Sequence, residues 1–215
     1  RSALLTGRLP IRTGLNGDQI QVFFPGSSTG IPKEEITIAE VLKSNGYKTA
    51  IFGKWHLGDK DEFLPTRHGF DEWVGIPYSN DMDWEVDGLT LDELLQNPEL
   101  AAKRYADIQP IIREKIFNPD IQDWNVPLVK SQKNIDQKYQ DEIIERPTDQ
   151  NLSTKMFTEN AVDFIDRSIA ENKSFFVFLS HSMPHVPLFR SKEFIEKSLL
   201  GIYGYVLEEI DWSLG

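Results

Sequence analysis

Residues 46–58 read Gly46-Tyr47-Lys48-Thr49-Ala50-Ile51-Phe52-Gly53-Lys54-Trp55-His56-Leu57-Gly58. Tyr47 to Phe52 combines aromatic, β-branched and apolar residues and reads as a strand, with Gly53 to Gly58 as the loop beyond it. Upstream, Thr37 is placed to cap a helix through Leu42, with Ile38, Val41 and Leu42 on one side and Gly46 as its stop. This is an αβ unit, and a loop that follows a strand is the usual ligand position in an α/β sheet.

A second αβ unit lies near the other end. Asn151 or Ser153 caps a helix in which Phe157, Ala161, Phe164, Ile165 and Ile169 recur at helical spacing. Lys173 to Ser180 follows as a continuously apolar strand, the pattern of a sheet covered on both faces. His181 to Pro187 is its loop, and Tyr203 to Leu214 reads as a further helix. Ser2 to Thr6 suits a short helix closed by Gly7. Residues 59–83 read as loop-rich. Residues 84–150 are polar, with little periodicity and with Pro98, Pro110, Pro119, Pro127 and Pro147, and read as an insertion of short helices or loops packed near the site. The fold class is α/β, with the Tyr47–Phe52 and Lys173–Ser180 strands central.

The 215 residues are enough for a substantial core, and 40% of them are hydrophobic against 27% charged. There are 23 Lys and Arg against 34 Asp and Glu, a formal charge of −11. Such a surface repels phosphate backbones, which argues against a nucleic-acid partner yet leaves room for a local cationic pocket. Cysteine is absent, so these residues form no disulfide and no thiolate metal site. No apolar run approaches the length needed to span a membrane; the longest is Phe175 to Leu179.

Three segments can carry chemistry. Lys54 and His56 stand two apart just past a strand end; in an extended segment both point to one side. A fixed ammonium and a titratable imidazole suit a reaction that expels an anion, one holding the oxyanion and the other moving a proton. The alternative is a surface lysine beside a packed histidine. Arg1, Arg8 and Arg12 flank the first short helix and either bind an oxyanion or form a solvated basic edge. His181 and His185 lie four apart in a loop stiffened by Pro184 and Pro187. No carboxylate in that loop completes a zinc set, so hydrogen bonding or proton transfer is the better reading, and His181 is equally readable as structural.

Together these segments resemble the type I, formylglycine-dependent sulfatases, arylsulfatase A-like members of the alkaline phosphatase superfamily. Residues 46–58 match the family signature G-Y-x-T-A-x-x-G-K-W-H-L-G without a gap. Arg1-Ser2-Ala3-Leu4-Leu5-Thr6-Gly7-Arg8 matches the second half of its C-x-P-S-R…L-T-G-R signature. Residues 184–187 resemble its later histidine loop, residues 75–81 the loop after the second signature, and residues 208–213 the helix before a late metal-binding strand. The resemblance implies an α/β/α sandwich around a mixed, mostly parallel sheet. It places this chain as a central piece of the catalytic domain, cut at both ends, with a family-variable insertion at about 84–150. The nucleophile, a formylglycine made from Cys or Ser, is then expected upstream of Arg1, and the calcium ligands outside the chain.

Carried over, Arg1 would sit on the nucleophile's own helix and stabilise its hydrate and the metal cluster, and Lys54 would bridge the nucleophile and a sulfate oxygen. His56 would hydrogen-bond the nucleophile's hydroxyl and assist sulfate release, and His185 would donate a proton to the leaving alcohol. Ser79 would orient nucleophile or substrate, with Asn80, Asp81 and His181 as weaker substrate contacts. Arg8 and Arg12 are expected as structural ion-pair partners and Trp55 as packing, while Asp87, Asp92 and Glu93 either line the outer pocket or, more simply, form a solvated face. The implied partners are a sulfate ester or sulfated glycan and the formylglycine-generating enzyme. The implied compartment is periplasmic, secreted or lysosomal, and these residues alone are expected to be inactive. A phosphodiesterase or phosphonate monoester hydrolase of the same superfamily, or a non-catalytic sulfated-glycan binder, are the alternatives.

Overall fold

The computed structural model describes residues 1–17, 22–86, 88–134 and 136–215. Thirteen regular elements are named here in chain order: α1 (Ser2–Thr6), α2 (Ile38–Ser44), β1 (Lys48–Gly53), β2 (Glu72–Gly75), β3 (Glu85–Val86), β4 (Leu89–Thr90), α3 (Leu91–Gln96), α4 (Pro98–Phe117), β5 (Leu128–Lys133), β6 (Tyr139–Glu145), α5 (Ser153–Ala170), β7 (Phe175–Ser180) and α6 (Gly201–Leu214). Five strands form one sheet in the order β6-β5-β2-β1-β7. β1 pairs in parallel with β2 and β7, while β2–β5 and β5–β6 are antiparallel. The sheet is therefore mixed, and its parallel half carries the site.

Side chains alternate across the sheet with the period of a strand. Ile51, Trp73 and Val129 face one layer, where Leu5 of α1, Ala39 of α2 and the buried Trp55 and Phe70 cover them. Ala50, Phe52, Val74 and Leu128 face the other, against Phe157, Ala161 and Phe164 of α5. A third cluster caps the end of the sheet where β1 and β2 finish, joining Ile76, Tyr78 and Met82 to Ile108 of α4, Val206 of α6 and Met183, Leu188 and Phe189. None of the helices among the described residues is long and apolar enough to cross a membrane.

Several expectations are corrected. Residues 59–83 contain β2, a buried strand beside β1; at four residues it is too short to show a period. The stretch 84–150 holds the 20-residue α4, with Pro110 inside it, and β5 and β6, which extend the main sheet rather than sitting apart from it. β6 is exposed along its whole length, so no apolar alternation marked it. β7 is not central: among the described residues it is an edge strand, and Phe175 to Leu179 are only half-buried. In α2 the residue that packs is Ala39, while Ile38 and Val41 are exposed. Thr37 caps α2 as read, accepting from Glu40 N, and the structure adds the return bond in which Glu40 accepts from Thr37 N, completing a capping box. No side chain caps α5, because the helix runs on from the turn Gln150–Leu152, which Asp149 caps. Ile169, at the far end of α5, is exposed.

Candidate active site

The loop after β1 is threaded between its two neighbours. Lys54 N–H donates to Ser180 O at the end of β7 (2.7 Å), while Trp55 and His56 N–H donate to Ile76 O (3.0 Å) and Pro77 O (2.9 Å) beyond β2. Such close backbone approach requires glycine. A Cβ on Gly53 would lie 2.0 Å from Ser180 O, and one on Gly75 would lie 1.8 Å from Gly53 O. Trp55 is fully buried, donates to Phe63 O (2.8 Å) and stacks on His68, which bears out its reading as packing.

His56 adopts a left-handed backbone with φ 59°. The extended-segment argument for aiming Lys54 and His56 together therefore does not hold; a turned main chain brings them to the same cleft instead. A non-glycine residue in that region costs on the order of 1 kcal/mol or more and persists because its surroundings hold it. Here Pro77 O takes its N–H, and its Nε2 donates to Phe23 O at 3.0 Å. Burial first, then the Lys54 charge, push the imidazole down to about 4, so at neutral pH it is uncharged, with Nδ1 left as an acceptor.

Lys54 is 6% exposed, and its ammonium has one hydrogen bond among the described residues, to Ser79 Oγ at 3.2 Å. Burial, and then the Arg1 charge, lower its pKa to about 8, with Asp81 opposing them. Arg1 reaches over the same loop: its guanidinium donates to Lys54 O (2.7 Å) and His181 O (3.4 Å), and dehydration draws its pKa down to about 10. Arg1, Ser2, Phe23, Lys54 and His56 line a cleft of about 260 Å³. On its flank His185 Nδ1 donates to Val186 O (2.7 Å), lies 3.5 Å from Ser79 Oγ and stands 3.9 Å from Asp81 Oδ1. Among the described residues the ring's Nε2 has no hydrogen-bond partner.

Arg1, Lys54, His56, Ser79, Asp81 and His185 thus come together. Asn80 and His181 do not join them. Asn80 is fully buried behind the loop. His181 turns to α6, where its Nε2 lies 2.9 Å from Ser213 Oγ, and burial holds its pKa at about 4. Arg8 pairs with Glu35 as expected; no ion pair to Arg12 is found among the described residues. Asp87 and the Asp92 side chain lie outside the described residues. Glu93 is exposed and spent on the capping box of α3 with Thr90, which fits its reading as part of a solvated face rather than as a pocket lining. The acidic side chains gather instead in a separate cleft of about 350 Å³ with Asp59, Asp61, Asp141, Glu142 and Arg146, whose charge disfavours an anion. Sequence reading missed Ser180, whose Oγ donates to Lys54 O (2.7 Å), and the Phe23 carbonyl that holds His56. The first was signalled by its place at a strand end beside His181, the second by nothing, since a carbonyl has no residue type.

The cluster does not fit a calcium ion. Among the described residues no group of three His, Cys, Asp or Glu side chains comes together to hold a metal, and the charges meeting at the cleft are mainly cationic. They fit a tetrahedral oxyanion.

Comparisons with known proteins identify the relatives of this chain. The mouse (Mus musculus) N-acetylgalactosamine-6-sulfatase is 32% identical over 221 residues, covering 100% of this chain and 36% of that protein. The human steryl-sulfatase is 32% identical over 250 residues, covering 100% of this chain and 42% of that protein. The chain thus spans well under half the length of these curated relatives. The crystal structure of PsFucS1 sulfatase from Pseudoalteromonas sp. superposes with a TM-score of 0.70 at 23% identity, covering 99% of this chain and 39% of that one, a likeness of fold. The Sulfatase family model matches residues 1–215 in full, and the chain belongs to the sulfatase family.

Proposed function

We propose that these residues form the sulfate-binding and proton-transfer part of an enzyme that hydrolyses sulfate esters to an alcohol and inorganic sulfate. The observation that carries this reading is Lys54, a buried ammonium with a single neutral partner beside a second cation. Burying such a charge beside a second cation is costly, and Asp81 offsets that cost only in part, so an anion in the cleft would balance the arrangement.

In that role the Lys54 ammonium and the Arg1 guanidinium face the sulfate oxygens and take up the charge that grows on them as the ester bond breaks. Neutral His56 accepts a proton at Nδ1. His185, whose Nδ1–H is held by Val186 O, acts in its doubly protonated form: it gives the Nε2 proton to the departing alcohol oxygen, which leaves as the neutral alcohol, and is left as the neutral Nδ1–H imidazole. Ser79 spans Lys54 and His185 and keeps the two in one plane of action. In the family a formylglycine supplies the nucleophile and calcium a hard cation. The residues described here supply neither, so no step above runs through them, and a formylglycine-generating enzyme is the partner this reading implies. The alcohol is a sugar or an aryl alcohol. An N-acetylgalactosamine-6-sulfatase and a steryl-sulfatase stand at the same identity, so likeness does not choose between alcohols.

Titration of the chain with inorganic sulfate, followed calorimetrically, tests the reading. Saturable binding is expected, weakened by Lys54→Ala by roughly a hundredfold, as loss of a preorganised oxyanion contact does. No binding by the parent chain, or equal binding by the variant, would sink it.

A further inference from the structure

Asn80 holds a position that the reaction scheme leaves unused. β2 and β7 do not pair, since β1 lies between them. Beyond their ends, the loop after β2 carries Ser79 and Asp81 and the loop after β7 carries His185. Asn80, at 0% exposure, joins the two loops directly: its Nδ2 donates to Pro187 O (3.2 Å) and to His185 O (3.4 Å). Its neighbours reach the other way, Ser79 Oγ accepting from Lys54 and Asp81 approaching His185 Nδ1. One tripeptide therefore grips the His185 loop from behind through the main chain and addresses the His185 ring from in front.

We propose that Asn80 is the positioning residue for His185: its buried amide pins the main chain at His185 and Pro187, so that the imidazole faces the Lys54 cleft. The inference rests on the anion-site reading above. The Asn80 side chain has no exposed surface, and its amide donors are turned to the main chain of the His185 loop. Pro187 strengthens the argument. A proline has no N–H with which to anchor its own loop, so the carbonyl is the one strong main-chain group through which that residue can be held. Asp is isosteric with Asn, but it loses both donors and sets a carboxylate against two carbonyl oxygens.

The test uses the 215-residue chain with isotope-labelled histidine rings, titrated with inorganic sulfate and followed by NMR. His56 lines the cleft independently of Asn80 and serves as the internal control. In the parent chain both His56 and His185 signals are expected to shift with sulfate. In Asn80→Ala the His56 response should persist, while that of His185 falls by about fivefold or more, the scale of losing one net hydrogen bond. An unchanged His185 response in a variant whose His56 still responds overturns the positioning role alone. Silence of both histidines in the parent chain overturns the anion site itself. Should Asn80→Ala fail to fold, the parent chain still decides. The Asn80 side-chain amide protons must show slowed solvent exchange and cross-relaxation to His185 and Pro187, and fast exchange without those contacts refutes the proposal.

Discussion

Lys54 gives the site its pH range. With its ammonium drawn down to about 8 by burial and by Arg1, the group that must be charged to hold sulfate begins to lose its proton near neutrality. Sulfate affinity measured by calorimetry is therefore expected to fall as pH rises through about 8, with one proton taken up per anion bound above that point; affinity flat to pH 10 would contradict it. The histidines act on stability with the opposite limb of the pH scale. Burial leads the lowering of His56 and His181, each to about 4, whereas an unfolded histidine titrates near 6.5. Between those values the unfolded chain binds protons that the native one does not, so stability declines as pH falls from about 6.5 to 4, by about 3 kcal/mol per histidine once both limits are passed. His181→Gln should flatten the dependence of Tm on pH over that window, and an unaltered slope would show that His181 is already charged in the folded chain.

At the scale of elements the controlling feature is the backbone contact among the ends of β1, β2 and β7. Gly53 sits at φ 119° with no room for a Cβ against Ser180 O. Gly53→Ala is expected to cost about 1–3 kcal/mol from the backbone alone, and to part Lys54 from Ser180, so that sulfate affinity drops even where the chain still melts cooperatively. A variant with parent Tm and parent affinity would refute this. The same region explains what was legible in advance. β1 and its loop announced themselves because apolar residues bounded by Gly46 and Gly53 admit few readings. The side chains that converge there, Arg1, Lys54, His56, Ser79 and His185, were found through segment patterns rather than through any contact visible along the chain. β2 was not legible because four residues cannot display an alternation, and β6 because both its faces meet solvent. β7 read as central because its five apolar residues look the same whether a further strand covers them or not. The support given by Phe23, Ser180 and Asn80 is made of carbonyls and amides meeting across loops, which no local pattern encodes.

On the scale of the whole molecule, a −11 chain concentrates positive charge at one cleft. On the reading proposed above, a sulfate ester would be repelled by the general surface and attracted to that cleft, which favours selective over adventitious anion binding. The 215 residues contain no cysteine, and a polypeptide of these residues alone is expected to bind sulfate without turning over an aryl sulfate, with or without added calcium. Measured hydrolysis free of contaminating enzyme would place a nucleophile within them. One further consequence follows from the ladder between β1 and β7, where Ser180 and Lys54 meet although they are 126 positions apart. The β5–β6 hairpin can close early because its strands are near neighbours, but the parallel ladder must bring together distant parts of the polymer before it gains anything. The cleft is lined by residues between Arg1 and Leu57, but the carbonyls of Ser180 and His181 that hold Lys54 and Arg1 in place come from the far side of that late closure. In a refolding time course, recovery of the hairpin should precede recovery of sulfate affinity. A nascent chain leaving the ribosome would have Arg1, Lys54 and His56 in hand, yet on the reading proposed above remain blind to sulfate until residue 180 had emerged and docked.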